Sequence, residues 1–326
     1  MTRSTAFFIN GGAGRVITSI PALELYEKEN PNDDFIIVCE GGTDFYKGHP
    51  TLHRRAYDVW HKGLFEQYIK DRNCVSPEPY RIWEYYNQKC SLAQAFDIEI
   101  NKQGIREVPI PNIYLNKSEQ HNGKSVVQEV KDVTGFNKVI VIQPFGRGVE
   151  ESLIDQTSRS FRAEDMLDIA NQLKQDYGVI IMSELPLPFY NEDGDNTPLA
   201  QPQIPDIRIW AGVIEAADHF LGCDSVGQHI AKSLGKQATV ITGSTFPINT
   251  TYLNDKDITV FDIGDGRRVY SPIRVSTEEE PDRLNDKAMN MSKEHINDIV
   301  KSIKQTVGKS IKTAPKQPKE NFGENV

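Results

Sequence analysis

The sequence predicts an α/β protein built from two Rossmann-like domains, and three observations carry this prediction. The chain has 326 residues, about twice the usual size of one domain. Short apolar runs alternate with segments of helical periodicity along most of the sequence. The composition, 38% hydrophobic and 25% charged, is that of a globular chain with enough apolar residues for real cores.

The N-terminal half begins with a βαβ pattern. The apolar run 6–10 ends in the glycine-rich turn Gly11–Gly14, as expected for a buried strand that leads into a tight turn. A helix is predicted over 15–30, with Pro21 either kinking it or lying in its first turn. A second strand follows at 35–39, which completes the unit. Between 44 and 110 the pattern indicates only helices near 62–71 and 80–96.

The C-terminal half repeats the alternation after a polar connector at 111–137 that includes a short helix. Strands are predicted at 138–142, 179–182, 220–222, 238–241 and 258–261. Helices are predicted at 163–177, 210–217, 226–234 and 293–307. The predicted organisation is an N-terminal domain over 1–130, a C-terminal domain over 137–308 and a flexible, solvated tail over 309–326. Ligands of such folds bind in the crevice between the domains.

Charge and cysteine usage exclude several classes of function. The net charge of −9 argues against nucleic acid as the main partner, although a local basic cleft stays possible. No apolar run reaches the 18 residues of a membrane span, and the N-terminus lacks a signal peptide, so we expect a cytoplasmic protein. The four cysteines have neither zinc spacing nor a C-x-x-C pair, and we expect reduced thiols and no bound metal.

The strongest local motif is the strand-to-helix junction around Ser225. Ser225 is a suitable N-cap, and Gln228 three residues later predicts a capping box. The positive end of this helix is a potential anion site, where Gly227 would let a phosphate approach the backbone. Asp224 and His229 flank the junction at the carboxyl end of a strand, where α/β folds place their sites. The alternative is an ordinary capped helix with a packed histidine.

Two further turns have phosphate-binding composition. Gly11–Gly14 follows the first strand, with Glu40 after the second as a potential ribose ligand. The dinucleotide fingerprint fails, however, because its third glycine position is Ile17. The segment 143–148, QPFGRG, combines a strand end with glycines and Arg147, and Arg159 follows shortly after. Guanidinium groups match the oxygens of a diphosphate.

Together these regions resemble the lipopolysaccharide heptosyltransferases and their relatives, glycosyltransferases with the GT-B fold. The segment AGRVITSIPAL at 13–23 is similar to the family's glycine-aspartate turn and T-x-P-A-L helix. QPFG at 143–146 and RSF at 159–161 are similar to its H-P-G and K-x-W elements. ADHFLGCDSVGQHIAKSLG at 217–235 is similar to its A-D-x-x-x-G-x-D-[ST]-G-x-x-H-x-x-x-A-L-G signature. The resemblance runs from about residue 6 to 245, and the last motif is the most specific.

The resemblance implies a GT-B fold whose two domains face each other across a cleft, with a nucleotide-diphosphate sugar bound to the second domain. It implies the following donor-binding residues: Arg159, Glu184, Asp224, Ser225, Gly227 and His229. The glycine turn that contains Gly12 and Gly14 would lie at this cleft. It also implies inverting transfer without metal or cofactor, in which the helix start and the arginines stabilise the departing diphosphate.

Two departures from the family pattern bear on this activity. Arg15 occupies the position of the family's aspartate base, and a guanidinium accepts no proton at neutral pH. Asp44 or Glu40 would then act as the base, or catalysis has been lost. Val226 stands where the signature has glycine. The alternatives are a binding or scaffold protein on the same fold and, less favoured, a nucleotide-dependent oxidoreductase or epimerase.

The sequence leaves both substrates open. The donor is an ADP-heptose-like or another nucleotide sugar. The acceptor is lipopolysaccharide, another glycan, a protein or a modified DNA base.

Overall fold

The chain folds into two compact units. The computed structural model describes residues 4–146, 159–185, 187, 199–268 and 288–315. The first unit runs from the N-terminus to Leu115 and includes Ile248–Thr250, and the second contains the rest of the described residues. Within the described residues, no helix combines the length and the apolar character that crossing a membrane requires.

The first unit is a parallel four-stranded sheet with helices. Its elements are β1 (Thr5–Ile9), α1 (Ala13–Glu29), β2 (Ile36–Cys39), β3 (Ala56–Asp58), β4 (Asn73–Val75), α2 (Trp83–Tyr86) and α3 (Leu92–Asn101). The strand order is β3-β2-β1-β4. The predicted βαβ unit is present, with β1 and β2 paired in parallel and Phe7 opposite Ile37. Pro21 lies inside α1.

One predicted helix of this unit is wrong. The segment 80–96 does not form one helix, because α2 ends at Tyr86 and a new helix, α3, starts after Ser91. Ser91 accepts a hydrogen bond from the amide of Gln94, whose side chain accepts from the Ser91 amide. This capping box terminates any continuous helix and starts another.

The second unit is a parallel five-stranded sheet covered by helices. Its elements are α4 (Lys117–Thr134), β5 (Val139–Gln143), α5 (Ala163–Leu173), β6 (Gly178–Ile181), α6 (Ile207–Ala216), β7 (His219–Cys223), α7 (Val226–Ser233), β8 (Ala238–Thr242), β9 (Ile258–Asp262) and α9 (Lys293–Val307). Between β8 and β9 lies α8 (Pro247–Thr250), whose last three residues belong to the first unit. The strand order is β6-β5-β7-β8-β9. All five strands were predicted, and they are the apolar centre of this unit.

Helix α4 replaces most of the predicted polar connector and lies in the second unit. Asn116 and Glu119 form a capping box that starts the helix within the polar stretch. Gly123 lies so close to α6 that a Cβ on it would be 2.1 Å from the carbonyl carbon of Gly212. Polarity therefore misled the prediction here: a short apolar stripe and two glycines are enough to dock α4 against α6.

A buried ion pair fastens the same two helices. Arg208 on α6 is 2% exposed, and its Nε and Nη2 atoms donate to the two carboxylate oxygens of Glu119 over 2.6 and 2.7 Å. Such a two-point contact is the strongest geometry between a guanidinium and a carboxylate. The pair joins the cap of α4 to the first turn of α6.

The segment that follows α9 has exposed side chains over 311–315, as the sequence predicted, while its backbone is paired with the residues before β5. The amide of Ile311 donates to the side chain of Asn137 over 2.7 Å, and the amide of Thr313 donates to the carbonyl of Gly135 over 2.8 Å. Backbone pairing thus holds 309–315 even though its side chains are mainly polar. Residues 316–326 lie outside the described residues.

Candidate functional site

The carboxyl edge of the second sheet has a topological switch point between β5 and β7. From β5 the chain passes to β6 on one side, and the later strands are added on the other side, beginning with β7. Open parallel sheets bind ligands in the crevice outside the carboxyl ends of the strands at such a point. The residues that follow β5 and β7 are therefore the first to consider as a site.

Gln143, the last residue of β5, connects this strand to the start of α7. Its Oε1 atom accepts a hydrogen bond from the amide of Gly227 over 2.9 Å. Its Nε2 atom lies 3.3 Å from the hydroxyl oxygen of Ser225 and donates to it. The side chain is buried. The amide of Gly227, at the positive end of α7, is thus already hydrogen-bonded within the protein. A ligand at this helix start therefore has one backbone donor fewer.

The structure assigns Gly227 a different reason for being glycine than the predicted phosphate approach. A Cβ at this position would lie 2.2 Å from Oε1 of Gln143 and 2.5 Å from the ring of Phe220. Both distances are far below van der Waals contact, so a side chain at 227 would displace Gln143 or Phe220. The absence of a side chain serves the packing of β5 and β7 against α7.

The predicted capping box at Ser225 is wrong. Ser225 is the N-cap by position, but its side chain makes no cap hydrogen bond. Its hydroxyl instead meets Gln143, and the Gln228 side chain donates to Oδ1 of Asp224 over 3.0 Å. Asp224 and Gln228 are both buried. The polar groups of the junction therefore hold one another in place and fix the entry of the chain into α7.

His229 lies one turn into α7 and is held as a neutral imidazole. Its Nδ1 atom is 2.9 Å from the hydroxyl of Tyr252. Burial lowers the pKa of His229 to about 4 and raises the pKa of Tyr252. At neutral pH the ring is uncharged and therefore meets a ligand as a hydrogen-bonding group and not as a cation.

The loop after β5 returns to the sheet at Ser160. The hydroxyl of Ser160 accepts from the amide of Gly146 over 2.9 Å, and the amide of Phe161 donates to the carbonyl of Pro144 over 2.8 Å. Arg159, next to this closure, is half-buried. Arg147 and Gly148, which the sequence placed in the same turn, lie outside the described residues.

A cavity of about 310 Å³ follows the carboxyl end of β6. It is lined by Ser183, Glu184, Gln203, Ile204, Pro205 and Trp210. The indole nitrogen of Trp210 donates to the carbonyl of Ile204 over 3.0 Å, which fixes the ring in the wall. Glu184 is exposed at this cavity. The site therefore combines an aromatic and aliphatic wall with one carboxylate.

The glycine turn of the first unit is held by Glu40. The Glu40 carboxylate accepts a hydrogen bond from the amide of Gly11, which has a positive φ of 91°. Gly12 is the N-cap of α1, and Gly14 lies in its first turn, where its carbonyl accepts from Thr18. Glu40, which the sequence offered as a potential ribose ligand, thus stabilises the glycine turn by a hydrogen bond.

Arg15 is enclosed by the first unit and does not project freely into solvent. Its side chain is 12% exposed and lies 3.5 Å from Oε1 of Glu78. The guanidinium carbon is 5.0 Å from the ring centre of Tyr80 and 5.6 Å from that of Phe96. An arginine at the positive end of a helix is electrostatically unfavourable, and this carboxylate and the two ring faces compensate for it. Asp44, further along the chain, pairs with Lys47 over 2.6 Å at the surface.

The sequence-predicted residues thus fall into groups. Asp224, Ser225, Gly227 and His229 lie together at the start of α7, and Glu184 lies after β6 at the same edge of the same sheet. Arg159 also lies in the second unit, and the first unit holds Gly12, Gly14, Arg15 and Asp44. Sequence reasoning missed Tyr252 and Trp210. The side-chain bridge of Gln143 was also missed, because its contacts join residues 82 and 84 positions apart.

Comparison with solved structures shows that the whole chain shares a known fold. The ADP-heptose lipopolysaccharide heptosyltransferase II of E. coli superposes with a TM-score of 0.64 at 8% identity, covering 93% of this chain and 98% of that one. A glycosyl transferase of family 9 from Veillonella parvula gives 0.61 at 12% identity, with 94% and 97% covered. The E. coli heptosyltransferase WaaC, solved with ADP, gives 0.51 at 11% identity, with 93% and 99% covered.

The overall sequence identity to these structures is low, 8 to 12%. No protein-family model matches the chain, and no curated protein matches it by sequence. The fold expected from the resemblance, two α/β units of the heptosyltransferase type, is confirmed. At identities of 8 to 12% the comparison establishes the architecture, and activity must be argued from the site.

Proposed function

We propose that this chain is a glycosyltransferase that moves a sugar from a nucleotide-diphosphate sugar to a hydroxyl acceptor in the cytoplasm. The observation that carries the proposal is the carboxyl edge of the second sheet. There the α7 junction follows β7 and the cavity beside Glu184 follows β6, and both strands are neighbours of β5 in one parallel sheet. A nucleotide sugar needs such a combination: a wall for the base, an acceptor for ribose hydroxyls and a polar environment for the diphosphate.

The cavity after β6 is the proposed nucleoside site. Its volume of about 310 Å³ is at the lower end of small-molecule pockets. Trp210 and Ile204 offer apolar surface to a base, and the Glu184 carboxylate can accept hydrogen bonds from two neighbouring ribose hydroxyls. The diphosphate would extend toward Arg159 and the first turn of α7.

The departing diphosphate is stabilised in this proposal without a resident metal or cofactor. Arg159 supplies a permanent positive charge. The α7 terminus supplies a partial positive charge, although Gln143 already binds the Gly227 amide. Neutral His229 contributes a hydrogen bond and no charge. Stabilising charge where it develops on the leaving group lowers the barrier of sugar transfer.

The general base of the proposed reaction is a carboxylate of the first unit. Arg15 cannot serve, since a guanidinium stays protonated and this one is paired with Glu78. Asp44 pairs with Lys47, and Glu40 accepts the Gly11 amide. Both are carboxylates, a class of side chain that can accept a proton from an acceptor hydroxyl.

A donor panel tests the proposal directly. Isothermal titration with nucleoside diphosphates, followed by hydrolysis and transfer assays with nucleotide sugars, should identify a donor. ADP-heptose is the first candidate, because one structural neighbour was solved with ADP-D-β-D-heptose and another with ADP. A lipopolysaccharide core is the first acceptor to test, because a further structural neighbour is a lipopolysaccharide heptosyltransferase. Activity should withstand a chelator. Failure to bind any nucleoside diphosphate would end the proposal.

Replacing Glu184 by alanine should weaken nucleoside diphosphate binding about tenfold, because two hydrogen bonds to a charged group are lost. Since Glu184 is exposed, the variant should fold normally. Glu294→Ala, an exposed glutamate of α9, is the matched control and should bind like the unaltered protein. Equal affinities of the two variants would place the nucleoside elsewhere.

A binding protein without catalysis is the second candidate, and the enclosure of Arg15 favours it. With Arg15 held between Tyr80 and Phe96, the family's base position is filled by a group that cannot take a proton. This candidate predicts nucleotide binding without turnover for every donor and acceptor pair. Transfer of any sugar, abolished by Asp44→Asn or Glu40→Gln, would reject it.

A further inference from the structure

The imidazole ring of His229 is hydrogen-bonded at one of its two nitrogen atoms. Its Nδ1 atom lies 2.9 Å from the hydroxyl oxygen of Tyr252, and the two rings meet edge-on with 5.7 Å between their centres. Its Nε2 atom has no hydrogen-bond partner among the residues that the structure describes. Nε2 is therefore the ring atom that can bind a ligand.

Tyr252 begins a turn that is tied to α7. The amide of Asp255 donates to the carbonyl of Tyr252 over 3.3 Å. The Asp255 carboxylate accepts from Nζ of Lys232, which lies three residues after His229 on α7. The same carboxylate accepts from the amide of Asp257 over 3.0 Å. The ion pair and the ring contact thus hold the Tyr252 hydroxyl at Nδ1 from two sides.

The protonation states of this pair decide which of the two atoms donates. Burial raises the pKa of Tyr252 and lowers the pKa of His229 to about 4. At neutral pH the phenol therefore keeps its proton, and the imidazole carries only one. Nδ1 is the one acceptor that this hydroxyl meets within the described part of the chain, and a buried donor without an acceptor is costly. The hydroxyl therefore donates to Nδ1, which leaves the ring proton on Nε2.

This tautomer selects the kind of atom that His229 can bind. With its proton on Nε2, the ring donates at that atom and accepts nothing there. Phosphate oxygens are acceptors only, and a hydrogen bond to an ionised oxygen is stronger than one to a neutral oxygen. Since Gln143 occupies the amide of Gly227, the Nε2–H group adds a donor at a helix start that has lost one.

We propose that Tyr252 is a positioning residue, which fixes His229 in the tautomer that donates from Nε2 to an oxygen of the bound diphosphate. The inference rests on the proposed function and deepens it by giving this hydrogen bond a direction. The proton stays on Nε2 throughout the transfer, so His229 binds the leaving group and acts neither as an acid nor as a base.

The tautomer is read from the imidazole ¹⁵N signals of the full chain without nucleotide. The chain has seven histidines, and the spectrum of His229→Ala identifies the signals of residue 229 by their absence. The unaltered protein should show a protonated Nε2 and an unprotonated Nδ1. Tyr252→Phe retains the ring that contacts His229 and removes the proton donor, so both tautomers should become populated.

Tyr177→Phe is the matched control for these spectra. The Tyr177 hydroxyl donates to the carbonyl of Gly308 over 2.9 Å, elsewhere in the same unit. Its removal costs the protein one hydrogen bond of the same kind without touching α7. The ¹⁵N signals of His229 should therefore stay unchanged in this variant.

Titration with ADP, GDP, UDP and CDP measures the contribution of this hydrogen bond to binding. For the nucleotide that binds most tightly, Tyr252→Phe should weaken affinity about threefold and His229→Ala about tenfold. In the His229→Ala background, Tyr252→Phe should cause no further loss, because Tyr252 acts through His229. A merely structural role of Tyr252 would give the same loss in both backgrounds.

Three results would overturn the inference. These are a proton on Nδ1 in the unaltered protein, identical tautomer populations in Tyr252→Phe, and equal losses of affinity in the two backgrounds. If the unaltered protein binds none of the four nucleotides, the proposed function fails, and the diphosphate contact of His229 fails with it. The ¹⁵N signals, recorded without nucleotide, would still decide whether Tyr252 sets the tautomer.

Discussion

Replacing Arg208 by alanine is expected to lower the free energy of unfolding by about 3–5 kcal/mol. The substitution leaves the carboxylate of Glu119, whose side chain is 12% exposed, without its guanidinium partner in a largely dry contact between α4 and α6. It also removes the packing of a long side chain that is itself buried. Urea denaturation followed by circular dichroism measures the change.

The control for this prediction is an ion pair at the surface. Lys304 and Asp176 are 2.6 Å apart but 38% and 52% exposed, so Lys304→Ala should cost less than about 1 kcal/mol. Glu119→Gln removes the carboxylate from Arg208, which is 2% exposed, and should destabilise the protein by a similar amount. A loss below about 1 kcal/mol for Arg208→Ala would show that this pair contributes little to the docking of α4.

Acidification should destabilise the protein through two buried histidines. Burial lowers the pKa of both His219 and His229 from 6.5 to about 4. Between these pH values the unfolded chain binds more protons than the folded one, so stability is complete above pH 6.5 and falls as the pH falls toward 4. By pH 5 the expected loss is about 2 kcal/mol per histidine.

Thermal and urea unfolding at pH 7.5 and pH 5 would measure this loss. His219→Asn removes one titrating group and should reduce the pH dependence by roughly half of the histidine contribution. His53→Asn, at an exposed position, is the control and should leave the dependence unchanged. Identical pH dependence in His219→Asn and the unaltered protein would show that folding does not lower the pKa of His219.

The strands that the sequence predicted are those with an apolar run, and those it missed have none. β1, β2 and β5 to β8 are buried along most of their length, and β9, at the edge of its sheet, is only partly buried. β3 and β4 have three residues each and are half-buried or exposed. Their pairing comes from neighbouring β2 and β1, and no local pattern signals it.

The local structure around Ser225 was predicted from the sequence, and its side-chain contacts were not. The signature around Ser225 correctly indicated a strand that turns into a helix at the carboxyl edge of a parallel sheet. The partner of that turn, Gln143, lies on another strand, and no short-range rule connects the two. For the same reason Ser225 and Gln228 were predicted to form a capping box, the contact that local rules offer.

The contact of Gln143 with Gly227 restricts how these two positions can diverge. Alanine at 227 would require both Gln143 and Phe220 to shift, because its methyl group would lie 2.2 Å from Oε1 of Gln143 and 2.5 Å from the ring of Phe220. Shortening residue 143 alone would leave the Gly227 amide unsatisfied. We therefore expect positions 143, 220 and 227 to covary among homologues, with smaller residues at 143 and 220 wherever 227 acquires a side chain.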